Sequence, residues 1–348
     1  MTEEIFIDFC EGRNLKESTR RTYRYSLKKY AKFNGMTLQE LIDEAEAEEV
    51  EGIRWKNRKI RKRLLKYRSA IYKKHLENTA SHHFTRILTF YRFFEIELQA
   101  LPSLSNTTAN KPLPVGFEDM LTKEILQDAI DISEDFYKAF ILFACSTGCA
   151  KKEVMSVTVA DYLKATSDYH DADNLKDAIY QMKGKHVIGT FKLKRNKTNK
   201  FYTTYATPEA MKAVNVMLKK EGHNKKLTDP IFNRNNRTIT MNLIELNDRL
   251  ELGKVGTYRR LRSHMFRKFH SSVLYNEGLS IAEIDALQGR AKDKTHGAYF
   301  YENPEILKKK FIEHIDALTI FDENKVGNTM QLKQDLNDFL AEVESIEK

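Results

Sequence analysis

The sequence predicts a mostly α-helical protein of two domains, an all-helical N-terminal domain and an α+β domain with a small β-sheet. Three observations support this prediction. With 348 residues, the chain has the length of about two domains. With 41% hydrophobic residues, it can bury a core in each. Residues 101–117 are rich in Pro, Ser, Thr and Asn and separate two regions of different pattern, which is typical of a linker.

The region before the linker, residues 1–100, has apolar residues at helical spacing. Ser18 and Thr19 are predicted to cap one helix. An acidic helix is predicted over residues 36–49 and a basic helix over residues 53–76, with a further helix after it. The region is therefore expected to be a small domain of about four or five helices.

The region after the linker, residues 118–321, mixes helix and strand patterns. Phe191 and Leu193 alternate with charged residues before a polar turn, so residues 186–205 are predicted to form a β-hairpin. The final segment, residues 322–348, is amphipathic and is predicted to pack on its own domain or on a neighbouring protomer. Helices are predicted at residues 122–132, 134–146, 207–221, 240–252, 259–277, 280–288 and 303–317.

The charge of the chain indicates a polyanionic partner. Fifty-eight Lys and Arg against 49 Asp and Glu give a net charge of +9, and nucleic acid is the first candidate. Residues 54–74 hold eleven Lys or Arg and no acid, and residues 183–200 hold seven and no acid. Basic runs in both domains predict a clamp that grips a DNA duplex from two sides. The predicted DNA contacts are Arg54, Arg58, Arg61, Lys62, Lys66, Lys194, Arg195, Lys200 and Arg262.

Other classes of protein are disfavoured. Three cysteines without paired His spacing argue against a disulfide scaffold and a zinc site. No apolar run approaches the ~18 residues of a membrane span. The acidic start MTEEIFIDF lacks the basic region of a signal peptide. A cytoplasmic protein with no membrane association is expected.

The segment RSHMFRKFH, residues 262–270, carries the most specific chemical signal. His264 and Arg267 are three residues apart and share a face of a helix. A guanidinium binds two phosphate oxygens, and an imidazole donates or accepts a proton near neutral pH. Downstream, Tyr299 and Tyr301 stand just before a helix begun by Asn303. This arrangement suits chemistry on a phosphate group.

Taken in order, these motifs resemble the tyrosine recombinase (phage integrase) family, in particular its archaeal members. SHMFRKFHSSVLYNEGLS resembles the His-x-x-Arg helix of the family, ALQGR its Leu-Gly-His element and DKTHGAYFY its nucleophile segment. KRNKTNKFYTTYATPEA resembles the hairpin that carries a catalytic lysine, and CSTGCAKKEVMSVTVADY the segment of the first catalytic arginine. STRRTYRYSLKKYAKF and FTRILTFYRFFE resemble the helical core-binding domain. The resemblance implies a core-binding domain over residues 1–100 and a catalytic domain over residues 118–321.

The resemblance also implies a mechanism. Tyr299, nine residues after Arg290, would attack the scissile phosphodiester and form a 3′-phosphotyrosine bond. Arg267 would bind the non-bridging oxygens, and His264 would act in acid–base or positioning chemistry. Arg290 would be a further phosphate ligand, where His or Trp is usual in the family. Because the bond energy stays in the phosphotyrosine, neither a metal nor any other cofactor is expected.

The predicted hairpin turn would supply the general acid. By resemblance, Lys197 would protonate the leaving 5′-oxygen, and Lys194 and Lys200 are alternatives in the same loop. The partner implied is a double-stranded DNA attachment site. The implied assembly is a tetramer on two duplexes, and a monomer or weak oligomer when free.

One segment departs from the family pattern. In STGCAKKE, Gly148 and Glu153 fit the frame of the first arginine, but the arginine position falls on Ala150 or Lys151. Three explanations are open. Lys151 or Lys152 substitutes for the arginine, the recombinase is naturally weakened, or Ala150 is an inactivating substitution made to trap a DNA complex. Two other functions are also open, a non-catalytic DNA-binding protein on the same fold and a DNA-relaxing enzyme of the type IB topoisomerase kind.

Overall fold

The computed structural model describes residues 4–104, 115–197, 199–221, 225–290 and 303–321. By internal packing the chain divides into two compact units, residues 1–114 and 115–348. The division falls inside the predicted linker, of which residues 105–114 lie outside the described residues. The predicted C-terminal segment, residues 322–348, also lies outside them. No helix among the described residues is long and apolar enough to cross a membrane.

The first unit is all-helical in its described part. A buried aromatic cluster forms its core, with Phe9 packing edge-on against Phe90 and Tyr30 against Tyr67. Its helices are α1 (Glu4–Gly12), α2 (Glu17–Asn34), α3 (Leu38–Val50), α4 (Lys59–Lys74) and α5 (Glu77–Phe93).

Two helix starts in this unit differ from prediction. Helix α2 begins at Glu17 after Lys16, so Ser18 and Thr19 lie inside it and do not cap it. The basic helix α4 begins at Lys59 and not near residue 53, because a 3₁₀ turn over Trp55–Asn57 precedes it. The buried carboxylate of Glu48, on α3, accepts from the backbone N–H of Lys59 at 2.6 Å and so caps α4 from another helix.

The second unit is built around one buried helix and a small antiparallel sheet. All but two residues of the central helix are buried, and it packs mainly against two long helices that come later in the chain, Pro208–Glu221 and Ser263–Asn276. Its elements are α6 (Lys123–Asp131), α7 (Asp135–Thr147, the central helix), α8 (Lys151–Val154), α9 (Val159–Ala165), α10 (Leu175–Gln181), β1 (Gly189–Lys194), β2 (Phe201–Ala206), α11 (Pro208–Glu221), α12 (Asn236–Arg249), β3 (Lys254–Val255), β4 (Tyr258–Arg259), α13 (Ser263–Asn276), α14 (Ile281–Leu287), α15 (Pro304–Glu313) and α16 (Ile315–Leu318).

The predicted hairpin is present. Strands β1 and β2 pair antiparallel, with Leu193 opposite Tyr202 and Phe191 opposite Thr204. Phe191 and Leu193 are buried while the lysines between and after them are exposed, as the alternation predicted. A second hairpin, formed by the two-residue strands β3 and β4, was not predicted. The short helices α8 to α10 were also missed, because four to seven residues carry little periodicity.

Three further boundaries in this unit differ from prediction. The helix predicted from residue 259 begins at Ser263, because Tyr258 and Arg259 form strand β4. Helix α12 begins at Asn236 and not at residue 240, since the side chain of Asn235 accepts from Arg237 N–H and caps it. The helix predicted over residues 303–317 is interrupted at His314 and forms α15 and α16.

Candidate active site

The turn that ends α7 requires glycine. Gly148 has φ +60°, and its backbone N–H donates to Ala144 O. A Cβ added there would lie 2.7 Å from His270 Nδ1 and 2.8 Å from Gln288 Nε2. Because only glycine tolerates both this backbone and this contact, the turn packs directly against α13 and the residue that follows α14.

Glu153 stabilises the start of α8. Its side chain is buried, and Oε2 accepts from the backbone N–H of Ala150 at 2.9 Å and from the hydroxyl of Tyr202 at 3.0 Å. Burial raises the pKa of Tyr202 far above its usual value, so this phenol remains a donor. Glu153 therefore ties the segment of the expected first arginine to strand β2. Ala150 itself has no group that could reach an oxyanion.

Arg267, on α13, is buried and held by main-chain oxygens. Nη1 donates to Gly148 O at 2.7 Å, and Nη2 donates to Gln288 O at 2.7 Å. Burial is the first cause that lowers its pKa, followed by the positive charge of Arg195. Within the described ranges no carboxylate forms an ion pair with this guanidinium. Its unused N–H groups are therefore available to an anion.

Gln288 lies at the centre of the cluster. Its buried side chain donates from Nε2 to Arg267 O at 3.0 Å and contacts His270 Nδ1 at 2.9 Å. The next residue, Gly289, has φ +59°, and a Cβ there would lie 2.5 Å from the ring of Tyr202. The turn after α14 is thus pressed against the sheet on one side and α13 on the other.

Arg195 also enters this cluster, from the hairpin. It is the first residue after β1, and its backbone is fixed because its N–H donates to Lys200 O and its carbonyl accepts from Asn199 N–H, both at 2.8 Å. Its Nη1 donates to Gln288 O at 2.7 Å, the same oxygen that accepts from Arg267. Its Nε is buried and has no hydrogen-bond partner among the described residues.

His264 lies one turn before Arg267 on α13, as predicted, and its ring is exposed. Partial desolvation lowers its pKa, and the nearby charges of Lys268, Arg262, Arg267 and Arg290 lower it further. The ring is therefore neutral at pH 7 and can accept a proton.

Arg290 occupies the turn after α14. Its Nη2 donates to Ser271 Oγ at 3.1 Å, and its Nη1 lies 3.3 Å from Asp285 Oδ1. The side chain is 40% exposed, so other contacts are open to it. Tyr299 and Tyr301 lie outside the described residues.

The lysines of the hairpin are at its surface. Lys197 is exposed in the turn, Lys200 is exposed just before β2, and the Lys194 ammonium lies 5.7 Å from the centre of the Phe201 ring. The described contacts do not link any of the three to the Arg267 cluster. Arg195, in the same loop, donates to the Gln288 oxygen that also accepts from Arg267.

Lys151 has another partner. Its Nζ donates to Thr240 Oγ1 at 2.6 Å and to Asn236 O at 3.4 Å, both on α12. Burial lowers the pKa of this ammonium. The structure thus gives no support to Lys151 as the substitute clamp, because its ammonium is tied to α12. Lys152 is exposed.

The predicted DNA contacts divide into free and engaged side chains. Arg54, Lys62 and Lys66 are exposed, and Arg61 is partly exposed. Arg58, by contrast, is buried, pairs with Glu49 at 2.6 Å and donates to Ile53 O, so the structure gives no support to it as a DNA contact. Arg262 is partly buried and bonds to Arg259 O, with its guanidinium over the Tyr258 ring.

Three residues of the cluster were not predicted, Gln288, His270 and Tyr202. Gln288 stands inside the ALQGR motif and His270 ends RSHMFRKFH, so both belong to segments that carry the family resemblance. Tyr202 carries no signal beyond a strand pattern. Arg195 was predicted to contact DNA but not to meet Arg267. Within the described ranges, no three His, Cys, Asp or Glu side chains are grouped so that they could hold a metal ion.

This cluster lies in a mostly helical domain with a small sheet, and the same fold occurs in solved structures. The chain is similar to the XerH site-specific recombinase bound to difH substrate in a pre-cleavage complex, at 14% identity and TM-score 0.52, over 89% of this chain and 83% of that one. It is also similar to XerH bound to a palindromic difH substrate in a post-cleavage complex, at 13% identity and TM-score 0.53, over 96% and 85%. At these identities the similarity shows the fold.

The family follows from the sequence. The phage integrase family model matches residues 119–305, more than half of the chain. The chain therefore belongs to the phage integrase family, as the motifs predicted. No curated protein sequence matches it significantly. The comparisons give no support to an archaeal source.

Proposed function

We propose that this chain is a site-specific DNA recombinase that cleaves and rejoins strands through a 3′-phosphotyrosine intermediate. The observation that carries the proposal is the position of Arg267. Carbonyl oxygens of two separate turns, at Gly148 and Gln288, hold this guanidinium in a buried site without a carboxylate partner among the described residues. A buried guanidinium that has no ion-pair partner among the described residues is suited to bind a phosphodiester.

The proposed chemistry gives a role to each of five residues. Tyr299 attacks the phosphorus and displaces the 5′-oxygen, which leaves as a hydroxyl after protonation. Arg267 binds the non-bridging oxygens and stabilises the charge of the pentacoordinate transition state. His264, neutral at pH 7, accepts the proton that the Tyr299 phenol loses as it attacks. Lys197 supplies the proton for the leaving oxygen, and Arg290 is a further ligand.

DNA binding would rest on both units. Helix α4 carries exposed Lys59, Lys62, Lys66 and Lys73 at spacings of three, four and seven, which form a basic stripe along one face. With the hairpin lysines, this stripe would neutralise phosphates on a duplex in the cytoplasm. If about six to ten phosphates are contacted, affinity should fall ~10³–10⁵ between 50 and 200 mM salt. By the same proposal, the active assembly is a tetramer on two duplexes.

The test uses a DNA site selected by binding, so that finding the site does not depend on cleavage. Tyr299→Phe protein selects duplexes from a randomised pool, and the selected site is then rebuilt with a nick that traps the covalent intermediate. The parent chain should form a denaturant-resistant adduct and Tyr299→Phe should not, while both bind the duplex equally. An adduct with Tyr299→Phe but not with Tyr301→Phe would identify Tyr301 as the nucleophile.

One observation favours a second candidate, a non-catalytic DNA-binding protein on the same fold. Ala150 occupies the position of the first family arginine, and losing one such donor costs ~10²–10³ in rate. Site-specific binding without any adduct, in the parent and in Ala150→Arg alike, would identify this candidate. Relaxation of plasmid DNA without site preference would instead indicate an enzyme of the topoisomerase kind.

A further inference from the structure

We propose that Arg195 is a catalytic residue of this chain and supplies the second guanidinium of the phosphate clamp, in place of the arginine missing at position 150. This inference rests on the proposed recombinase function. The observation behind it is that guanidinium groups from two distant segments, Arg195 and Arg267, donate to one carbonyl oxygen at 2.7 Å each.

Neither position 150 nor position 151 of the segment that should supply a clamp has a cation free to do so, and exposed Lys152 offers an ammonium and not a guanidinium. Ala150 is apolar, and the carboxylate of Glu153 is occupied by Ala150 N–H and the Tyr202 hydroxyl. Lys151 donates to Thr240 on α12. A guanidinium must therefore come from another element if two are needed.

The hairpin holds Arg195 in a fixed position. Two backbone hydrogen bonds close the turn around Arg195. Its own N–H donates to Lys200 O, and its carbonyl accepts from Asn199 N–H. Asn199 takes φ +59°, a conformation that asparagine tolerates better than most residues. The backbone therefore directs the side chain toward Gln288, while Lys197, two residues further, remains at the exposed tip.

The charge arrangement is incomplete without an anion. Two guanidiniums meet at one neutral oxygen, and among the described residues neither forms an ion pair with a carboxylate. Like charges so close repel, and a phosphate that bridges them would relieve the repulsion. Arg195 also has a buried Nε–H without a partner among the described residues, a donor that an incoming oxygen could satisfy.

The bound state follows from these donors. Each guanidinium has five N–H groups, and the described contacts use two nitrogens of Arg267 and one of Arg195. The remaining donors would bind the two non-bridging oxygens of the scissile phosphate, one oxygen to each arginine. No bond is made or broken at Arg195. Its contribution is to stabilise the charge that develops as Tyr299 attacks.

The experiment measures single-turnover adduct formation at saturating DNA, on the nicked site selected by binding. Arg195→Ala should slow adduct formation ~10²–10³-fold. The Kd for the duplex, measured separately by titration, should change only a few-fold. Arg195→Lys should restore part of the rate, because an ammonium keeps the charge but not the fork. Ala150→Arg placed in the Arg195→Ala chain should recover activity, since it returns a guanidinium to the same phosphate.

Controls distinguish a failure of the Arg195 inference from misfolding and from a failure of the recombinase proposal. Arg249→Ala removes an exposed guanidinium from α12 and should leave the rate unchanged. Thermal melting checks that Arg195→Ala still folds, and the Arg195→Lys chain keeps the test valid if it does not. A normal rate in Arg195→Ala, or a loss of rate fully matched by a loss of affinity, would overturn the inference. The inference would also be overturned if the parent chain formed no adduct and Ala150→Arg restored it. The recombinase proposal would then stand. No adduct in either chain would defeat the recombinase proposal itself.

Discussion

Arg195 and Arg267 donate to the same carbonyl oxygen, that of Gln288, although they come from a hairpin turn and from helix α13. One main-chain oxygen thus positions two cations that are far apart in sequence. The same turn is pinned by the Gln288 side chain and by the contact of Gly289 with Tyr202. Changes to any of these packing contacts should therefore alter the site without touching either arginine.

Gly148→Ala should destabilise the second unit more than Gly253→Ala. Both glycines have positive φ, +60° and +66°, so alanine is strained at either position by about 1–3 kcal/mol. Only at Gly148 would the Cβ also meet His270 and Gln288, whereas nothing lies within 4 Å at Gly253. Urea unfolding of the two variants measures the difference. Equal losses would mean that the close packing at Gly148 adds nothing beyond backbone strain.

Glu153 and Tyr202 should be coupled in stability. Glu153→Ala removes the acceptor of the Ala150 N–H and leaves the buried Tyr202 hydroxyl only the sulfur of Cys149, at about 1–3 kcal/mol for each donor left unsatisfied. Tyr202→Phe removes one of these donors, so the double variant should lose less than the sum of the single losses. A double-mutant cycle by urea unfolding measures the coupling. Strict additivity would show that the hydrogen bond has no net effect.

His270 should make the second unit sensitive to acid. Its ring is fully buried, and burial, with the charges of Arg267 and Arg290, lowers its pKa from 6.5 to about 3. Below pH 6.5 the unfolded chain binds the proton more readily, so stability is complete above that pH and declines as the pH falls toward 3. This group alone should reduce the free energy of unfolding by about 2 kcal/mol between pH 7 and pH 5.

Amide hydrogen exchange in α7 and α13 at pH 7 and pH 5 would measure that decline in the full chain. His270→Asn keeps an acceptor for Gln288 but cannot be protonated, so its stability should be lower at pH 7 and less dependent on pH. His186→Asn alters an exposed ring and serves as the control. If the pH dependence survives in His270→Asn, another group is responsible for it.

In the first unit, substitution of Lys62 should affect DNA binding, whereas substitution of Arg58 should affect stability. Replacing exposed Lys62 and Lys66 by alanine should reduce the slope of log affinity against log salt by about 1.8, if each meets one phosphate. Stability should be unchanged. Arg58→Ala removes a buried partner of Glu49 and should instead destabilise the unit by about 1–3 kcal/mol. Salt titrations of duplex binding, with melting curves, distinguish the two effects. An unchanged slope in the double lysine variant would exclude this face of α4 from the DNA contact.

What the sequence determined by itself is mostly local. The one-turn spacing of His264 and Arg267, the alternation in the hairpin and the glycine at the end of α7 are properties of neighbouring residues, and the structure contains all three. Helix ends were less predictable when a distant group set them. Helix α4 begins where Glu48, eleven residues earlier, can accept from Lys59 N–H.

The tertiary structure alone decided which charged side chains are free. Arg58 and Lys62 look alike in a basic run, yet one is buried against Glu49 and the other is exposed. Glu153 contacts a backbone N–H and a tyrosine, and Arg195 meets an oxygen 93 residues away. The physical reason is that a long polar side chain bonds to whichever group lies within hydrogen-bond distance, and packing between distant segments sets that distance.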